Sequence, residues 1–410
     1  MPVPTLSIGL AGLGRMGKRH AEHFLHKIPR STLVAISTPD ADERAWAQER
    51  YGPYDIAIYA EYEDMLRHPG LQAVVIASAT VVHAEQVAKA IEREGGGVHV
   101  LCEKPLSLSV EVPHLKIMCG FSRRFDASYR DAHAKMSAGL IGRAAVFRSQ
   151  TCDKRDTSGA FVKYAEHSGG IFVDCAVHDV DLALWFFGAD GSCHAEREGS
   201  YNTATAGDGG GGREREGERE RERERGREGR EGREKWKDAD NAVGIVEFWD
   251  HRIAYFYASR MMAAGQEDTT EIIGTHGKLT VNANPASNLV SIHEGAASSS
   301  PMSAIAGGGG GGGGGMSSAV RGGGIRREVP SDYFQRFEGA FLQEGKEWVE
   351  ACLDDKEVPV NLEGAVEAVR VAGALQEALR TGEKVRFGRD GKRVGGGEGE
   401  GEGRKEVARL

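Results

Sequence analysis

The feature that most restricts this chain is Gly12-Leu13-Gly14-Arg15-Met16-Gly17, set directly between an apolar hexapeptide, Leu6–Ala11, and a helical stretch from Lys18 to Ile28. Each glycine has a mechanical role there. The first permits a tight turn, the second lets backbone approach a pyrophosphate, and the third lets helix and strand pack closely. The helix N-terminus then directs its free N–H groups at the anion. Gly12, Gly14, Arg15, Met16 and Gly17 are therefore the expected phosphate loop of a dinucleotide-binding unit.

The same alternation continues downstream. Leu33 to Ser37 reads as a strand, Asp42 to Tyr51 as a helix, and Ala73 to Ala77 as an apolar run buried on both faces. Ala84 to Glu94 is helical and Val98 to Cys102 is again a strand. Strands separated by helices imply a parallel sheet, so residues 1–121 are expected to form an α/β Rossmann domain. The second half differs. Ala144 to Thr151, Val243 to Trp249, Ile253 to Ser259, Thr270 to Gly274 and Lys278 to Asn282 read as strands, three of their links short enough for hairpins. Helices are expected at Phe172 to Phe187 and Gly364 to Thr381. Residues 122–387 should thus be an α+β domain with a largely antiparallel, open sheet.

Three stretches depart from this plan. Gly207 to Lys235 alternates Arg and Glu, nine of each between Arg213 and Glu234, and so carries no net field for nucleic acid or lipid. Residues 296–324 include nine consecutive glycines, Gly307 to Gly315, as a flexible loop would. From Gly388 to Leu410 glycine alternates with charge, which predicts a disordered tail. At 410 residues the chain still holds enough ordinary sequence for two domains. A net charge of -9 argues against nucleic acid as a partner. No uncharged apolar run approaches the about 18 residues of a membrane span, and no secretory leader is evident. The six cysteines form no CxxC pair, so neither a zinc site nor a disulfide framework is expected. A cytoplasmic protein follows from these readings.

The end of the second strand should choose between two nicotinamide cofactors. An acid there would accept from a ribose 2′-hydroxyl and repel a 2′-phosphate. The strand ends Ser37-Thr38, followed by Pro39 and Asp40. Thr38 with Ser37 and nearby Arg44 would tolerate a phosphate, whereas Asp40 reaching back would favour NAD. Between NAD and NADP, the two hydroxyls tilt the reading slightly to NADP.

Two later segments are more specific: Glu103-Lys104-Pro105, and Gly169-Gly170 through Asp174, His178, Asp179 and Asp181 to Leu184-Trp185. With the glycine loop and Ala84-Glu85-Gln86 after His83, they resemble the Gfo/Idh/MocA oxidoreductases, and among them the inositol 2-dehydrogenase-like members. The similarity covers nearly all of the chain outside its low-complexity stretches. It implies hydride transfer between a secondary hydroxyl of a polyol or sugar and the nicotinamide, in a homo-dimer or homo-tetramer.

The residues themselves suit that chemistry. When a hydride leaves a C–H, the adjoining O–H proton must leave too, so a positioned base is required. Asp174 and His178 are four apart on an expected helix and project from one face. His178 is the better base, since its ordinary pKa is near neutrality. Asp174 can bond substrate hydroxyls or orient the histidine. Lys104, at the carboxyl end of a parallel strand, can polarise the substrate oxygen. By resemblance Lys104, Asp174 and His178 match the family's catalytic set. The resemblance also puts Ser78, His83 and Glu103 along the cofactor and a basic residue, Arg124, near the substrate; an interdomain ion pair is the other reading of Arg124. Asp174, Asp179 and Asp181 are not expected to hold a metal, because no His or Cys cluster completes a site. Cys175 is expected to pack.

One departure from the family matters. Between Pro105 and the next expected strand, Leu115 to Cys119, lie nine residues, fewer than the about a dozen that a parallel crossover needs. A helix present in family members is missing, as an alternative splice or a faulty gene model would leave it, and a strip of sheet near Lys104 is expected to be uncovered. Two further functions remain open from the sequence: a reductase of a sugar aldehyde or dicarbonyl, running the same chemistry backwards, and a dinucleotide-binding redox sensor without turnover.

Overall fold

Residues 6–11 are short, apolar and flanked by turns, and they form the central strand β1 (Leu6–Ala11) of a six-stranded sheet. The structure is a computed structural model that describes residues 3–106, 112–156, 168–188, 201–208, 238–282, 291–292, 325–326, 330–388 and 391–394. Around β1 lie α1 (Arg15–His26), β2 (Ser31–Ser37), α2 (Ala41–Tyr51), β3 (Ala57–Tyr59), α3 (Tyr62–Leu66), β4 (Ala73–Ile76), α4 (His83–Glu92), β5 (His99–Glu103) and β6 (Ile117–Gly120). The order is β3-β2-β1-β4-β5-β6 and every pair is parallel. The expected Rossmann fold is present. Strand order reverses between β1 and β4, and ligands of open α/β sheets bind at such a switch point. β3 and α3 escaped the sequence reading because three and five residues carry no usable periodicity.

The uncovered strip of sheet expected from the short crossover is not found. β5 and β6 pair in parallel, Val100 opposite Ile117, with no helix among the described residues between them. All four residues of β6 are nevertheless buried. Two late helices, α7 (Tyr333–Asp354) and α8 (Leu362–Thr381), supply cover: Trp348 of α7 donates to the carbonyl of Lys116 at 3.4 Å, and α8 packs on β6. Cover thus comes from far along the chain.

After β6 a 3-10 turn, Ser122–Phe125, and α5 (Ala127–Ser137) lead into the second sheet. Its strands are β7 (Ala144–Lys154), β8 (Tyr201–Asp208), β9 (Asn241–Phe248), β10 (Ile253–Met262), β11 (Glu267–Gly274), β12 (Lys278–Val281), β15 (Val385–Phe387) and β16 (Arg393–Val394). A separate two-stranded pair joins β13 (Ser291–Ile292) and β14 (Ile325–Arg326). The eight-stranded order is β12-β11-β7-β10-β9-β8-β15-β16, and only the β7–β10 pair is parallel. Alternate residues of β9 are buried, so one face is covered and the other open. A π-helical turn, Phe172–Ala176, continues into α6 (Val177–Phe187), and with α8 it lies against this sheet. Most of the Arg/Glu stretch and all of 296–324 fall outside the described residues. The tail reading is corrected at one point, because Arg393–Val394 pair with β15.

Helix α7 follows the second sheet in sequence but packs on the first. Asp332 caps it by accepting from Gln335 N. Trp348 meets Phe24 edge-on with centroids 6.1 Å apart, Lys27 pairs with Glu338 at 2.6 Å, and Arg30 grips Asp354 through two bonds of 3.0 and 2.8 Å. Gly345 makes the approach possible, since a Cβ there would stand 2.5 Å from Ile28.

Trp348 is fully buried in this seam. Trp348→Ala should cost about 3–5 kcal/mol of stability in urea unfolding; a loss below about 1 kcal/mol would show that the helix does not anchor the sheet.

Candidate active site

The glycine loop has the geometry its spacing demands. Gly12 sits at φ 89°, and a Cβ there would lie 2.6 Å from the Cα of Ser78 in the loop after β4. A Cβ at Gly17 would lie 2.0 Å from the carbonyl oxygen of Gly12, so α1 and the turn touch only because the residue is glycine. Gly14 is different: nothing stands within 4 Å of where its Cβ would be. It caps α1 without a side-chain bond, and the first turn has no acid. Open space above exposed N–H groups fits a pyrophosphate. Arg15 and Met16 open α1 facing Tyr333, whose ring lies 5.1 Å from the Arg15 guanidinium.

At the end of β2, Ser37 and Thr38 are buried. The Thr38 hydroxyl donates to the Glu43 carboxylate at 2.6 Å, and Arg44 donates to the Thr38 carbonyl at 2.9 Å. Asp40 does not reach back toward the strand; it caps α2 by accepting from Glu43 N at 2.8 Å. The acid beside Thr38 is Glu43, which the sequence reading missed because it comes from the following helix.

Beyond β4 and β5 the loops interlock. Ser78 donates to Gln86 at 2.6 Å, and His83 places its two ring nitrogens 3.2 Å from the carbonyls of Ser78 and Pro105. Burial holds the His83 imidazole below its ordinary pKa despite those carbonyls. His83 is thus a buried tie between the loops. Glu103 accepts from His20 of α1 at 2.8 Å. Burial pushes its carboxyl up, but the His20 bond and the charges of His20, Lys104 and His83 bring it below the ordinary value.

Lys104 then crosses to the other half of the molecule. Its Nζ donates to the Asp174 carbonyl at 2.8 Å and stands 3.4 Å from the Asp174 carboxylate. Asp174 lies in the π-turn and His178 in the first turn of α6, which brings Lys104 and the expected pair together. Single π-turns within helices recur at functional sites. His178 is half-buried against Phe121, rings 5.8 Å apart, and its Nδ1 has no hydrogen-bond partner. Desolvation, then the positive charges of Lys104 and Arg123, hold its pKa well below the ordinary 6.5. The imidazole is neutral at neutral pH.

Arg260 of β10 was not foreseen. It stands 3.3 Å from the Asp174 carboxylate and also pairs with Asp238. It follows Ala254, Phe256 and Ala258 on the buried face of β10, where the pairing with β7 becomes irregular.

Arg124 makes an ion pair, the other reading the sequence offered for it. Its guanidinium is buried and grips Asp181 at 2.8 and 2.6 Å, so it holds α6 to the connecting turn as an ion pair. Arg123 beside it bonds Asp179 at 3.0 Å and Asp268 at 2.9 Å, while Ser149 donates to Asp179 at 2.6 Å. Burial pushes Asp268 up to about 6 against the pull of Arg123. Asp174, Asp179 and Asp181 therefore face different partners, and no three metal-ligating groups converge among the described residues. Cys175 is buried, with its thiol 3.3 Å from Asp153.

A parallel sheet with a phosphate cradle at its switch point, and a lysine, a carboxylate and a neutral imidazole meeting beyond it, define a dinucleotide-dependent oxidoreductase class. The chain belongs to the Gfo/Idh/MocA oxidoreductase family. The family's NAD-binding Rossmann-fold model matches residues 6–114, and its C-terminal alpha/beta domain model matches residues 135–387. The chain is 30% identical over 290 residues to scyllo-inositol 2-dehydrogenase (NAD(+)) of Bacillus subtilis, covering 66% of this chain and 72% of that protein. It is 28% identical to myo-inositol 2-dehydrogenase of Thermotoga maritima over 67% of this chain and 74% of that one. Its fold matches scyllo-inositol dehydrogenase from Lactobacillus casei, solved with NAD(H) and scyllo-inositol, with a TM-score of 0.71, 27% identity, and coverage of 93% of this chain and 99% of that chain.

The glycines separate two effects. Gly17→Ala should destabilise the fold itself, because its methyl meets backbone. Gly14→Ala should leave the melting temperature within about 2 °C yet weaken NADH binding by fluorescence titration. Equal behaviour of the two variants would refute this division of roles within the loop.

Proposed function

We propose that this chain oxidises a secondary hydroxyl of a cyclitol, of the myo- or scyllo-inositol kind, with NAD as the hydride acceptor. The observation that carries the reading is Lys104 held 2.8 Å from the Asp174 carbonyl, one helical turn before a neutral His178. A preference for NAD over NADP follows from Glu43, whose carboxylate on the Thr38 hydroxyl would repel a 2′-phosphate, while Arg44 is turned to backbone. This reverses the tilt to NADP that two hydroxyls alone suggested. The names of the inositol dehydrogenase relatives support both the acceptor and the substrate class.

NAD, when bound along the glycine loop, supplies the carbon that accepts the hydride. The residues of the chain do the rest. Lys104 donates to the reacting oxygen and favours negative charge developing there. His178 takes the hydroxyl proton, for which it must be neutral, and burial keeps it so. Asp174, fixed by Arg260 and Lys104, offers a carboxylate to neighbouring hydroxyls. The second sheet's open face exposes Ile245 and Ile253 beside Tyr255 and Tyr257, and a homo-dimer or homo-tetramer paired there belongs to the same proposal.

Turnover is read at the reduced-nicotinamide absorbance band with myo-inositol, scyllo-inositol, glucose and xylose, each with NAD and NADP. The expected result is steady turnover of an inositol with NAD; no turnover of any polyol under either cofactor would sink the reading. Lys104→Ala should lower kcat by about 10²–10⁴-fold while NADH still binds. Loss of binding as well would make Lys104 a structural residue. The acid limb of kcat/KM should lie below 6.5, since His178 protonates only below its depressed value. A limb at or above 6.5 would remove His178 as the base.

A further inference from the structure

Tyr333, the first residue of α7, stands at a place that neither the glycine loop nor the catalytic trio accounts for. Its hydroxyl donates to the Sδ of Met16 at 3.3 Å, in the first turn of α1. Arg15 lies over its ring, and the next residue, Phe334, carries the Arg19 guanidinium 3.5 Å from its own centroid and stacks on His23 at 5.7 Å. The start of α7 is therefore clamped to the dinucleotide helix by two aromatic side chains. Burial raises the Tyr333 phenol above the ordinary value, Arg15 opposes that, and the charges of both Glu103 and Lys104 act on the group. Its hydroxyl lies against the Met16 side chain at the end of the glycine loop.

A dinucleotide seated on the glycine loop would bring its diphosphate and the adjoining ribose past Arg15 and Met16, and so past that hydroxyl. A phenol whose hydrogen goes to a thioether has a weak acceptor and gains by exchanging it for a phosphate or ribose oxygen. We propose that Tyr333 is a further cofactor-binding residue, donating its hydroxyl to an oxygen of the diphosphate–ribose bridge and closing the groove over the glycine loop from the α7 side. The proposal rests on the nicotinamide-dinucleotide reading above. It gives α7 two roles, since the helix that covers the first sheet at Trp348 also completes the cofactor groove at its other end, 15 residues earlier.

Tyr333→Phe removes the hydroxyl and keeps the ring under Arg15, so the clamp on α1 survives. Dissociation constants for NADH, ADP-ribose and AMP are measured by fluorescence and calorimetric titration on the full chain without substrate. The expected result is a weakening of about fivefold to tenfold for NADH and ADP-ribose, which carry the bridge, with AMP changed less than about twofold. Unchanged NADH affinity, or an equal loss for AMP that reports general loosening of the loop, overturns the proposal. Should the unaltered protein bind no NADH at all, the dinucleotide reading itself falls and Tyr333 with it; binding by the unaltered protein with no effect of the substitution removes Tyr333 alone. Tyr333→Ala, which also deletes the ring, should weaken NADH binding further than Tyr333→Phe; equality of the two would overturn the role of the ring in closing the groove.

Discussion

The contact from Lys104 to Asp174 is the interaction around which the site is organised. It joins the carboxyl end of a parallel strand in one sheet to a π-turn packed on the other, 70 residues later in the chain. Because the ammonium reaches the Asp174 carbonyl as well as its carboxylate, the lysine is tied to backbone and its position depends on the turn itself. Anything that displaced α6 from the first sheet would separate the lysine from both the carboxylate and the imidazole.

The buried charges explain why α6 stays in place. Arg123 and Arg124 leave the end of β6 and enter the second half, where Asp179, Asp268 and Asp181 receive them. Removing one partner from such a buried pair leaves an uncompensated charge and costs about 3–5 kcal/mol, whereas the intact pair adds little net stability. The benefit is positional. Asp179 and Asp181 follow His178 closely along one helix, so the ion pairs orient the surface that presents the imidazole. Arg123 also contributes to the positive field that, after desolvation, keeps His178 neutral.

Much of the fold was legible because local physics and global arrangement agree there. Gly12 and Gly17 are required by contacts of 2.6 and 2.0 Å that any other residue would violate, and the loop could be read from their spacing alone. The strand β4 is a continuous apolar run, and all four of its residues are buried. Legibility ended at elements whose partners are remote. α7 is amphipathic over 22 residues but was not singled out, and its Trp348 reaches the first sheet 232 residues back at Lys116. The short link after Pro105 reads as lacking a helix, and none stands among its described residues, yet the cover over β6 comes from Trp348 and α8. Arg124 shows the same limit at the site: its partner Asp181 lies 57 residues on, so the ion pair they make could not be read from local sequence.

The sequence by itself determined the glycine loop, the parallel unit and the one-turn spacing of Asp174 and His178, because each depends on spacing within a turn, a strand or one helical turn. Tertiary structure alone decided which acid stands beside Thr38, which arginine holds Asp174, and what closes over β6. Those outcomes depend on distances between chain segments that share no local pattern, set when two sheets and a returning helix pack into one arrangement.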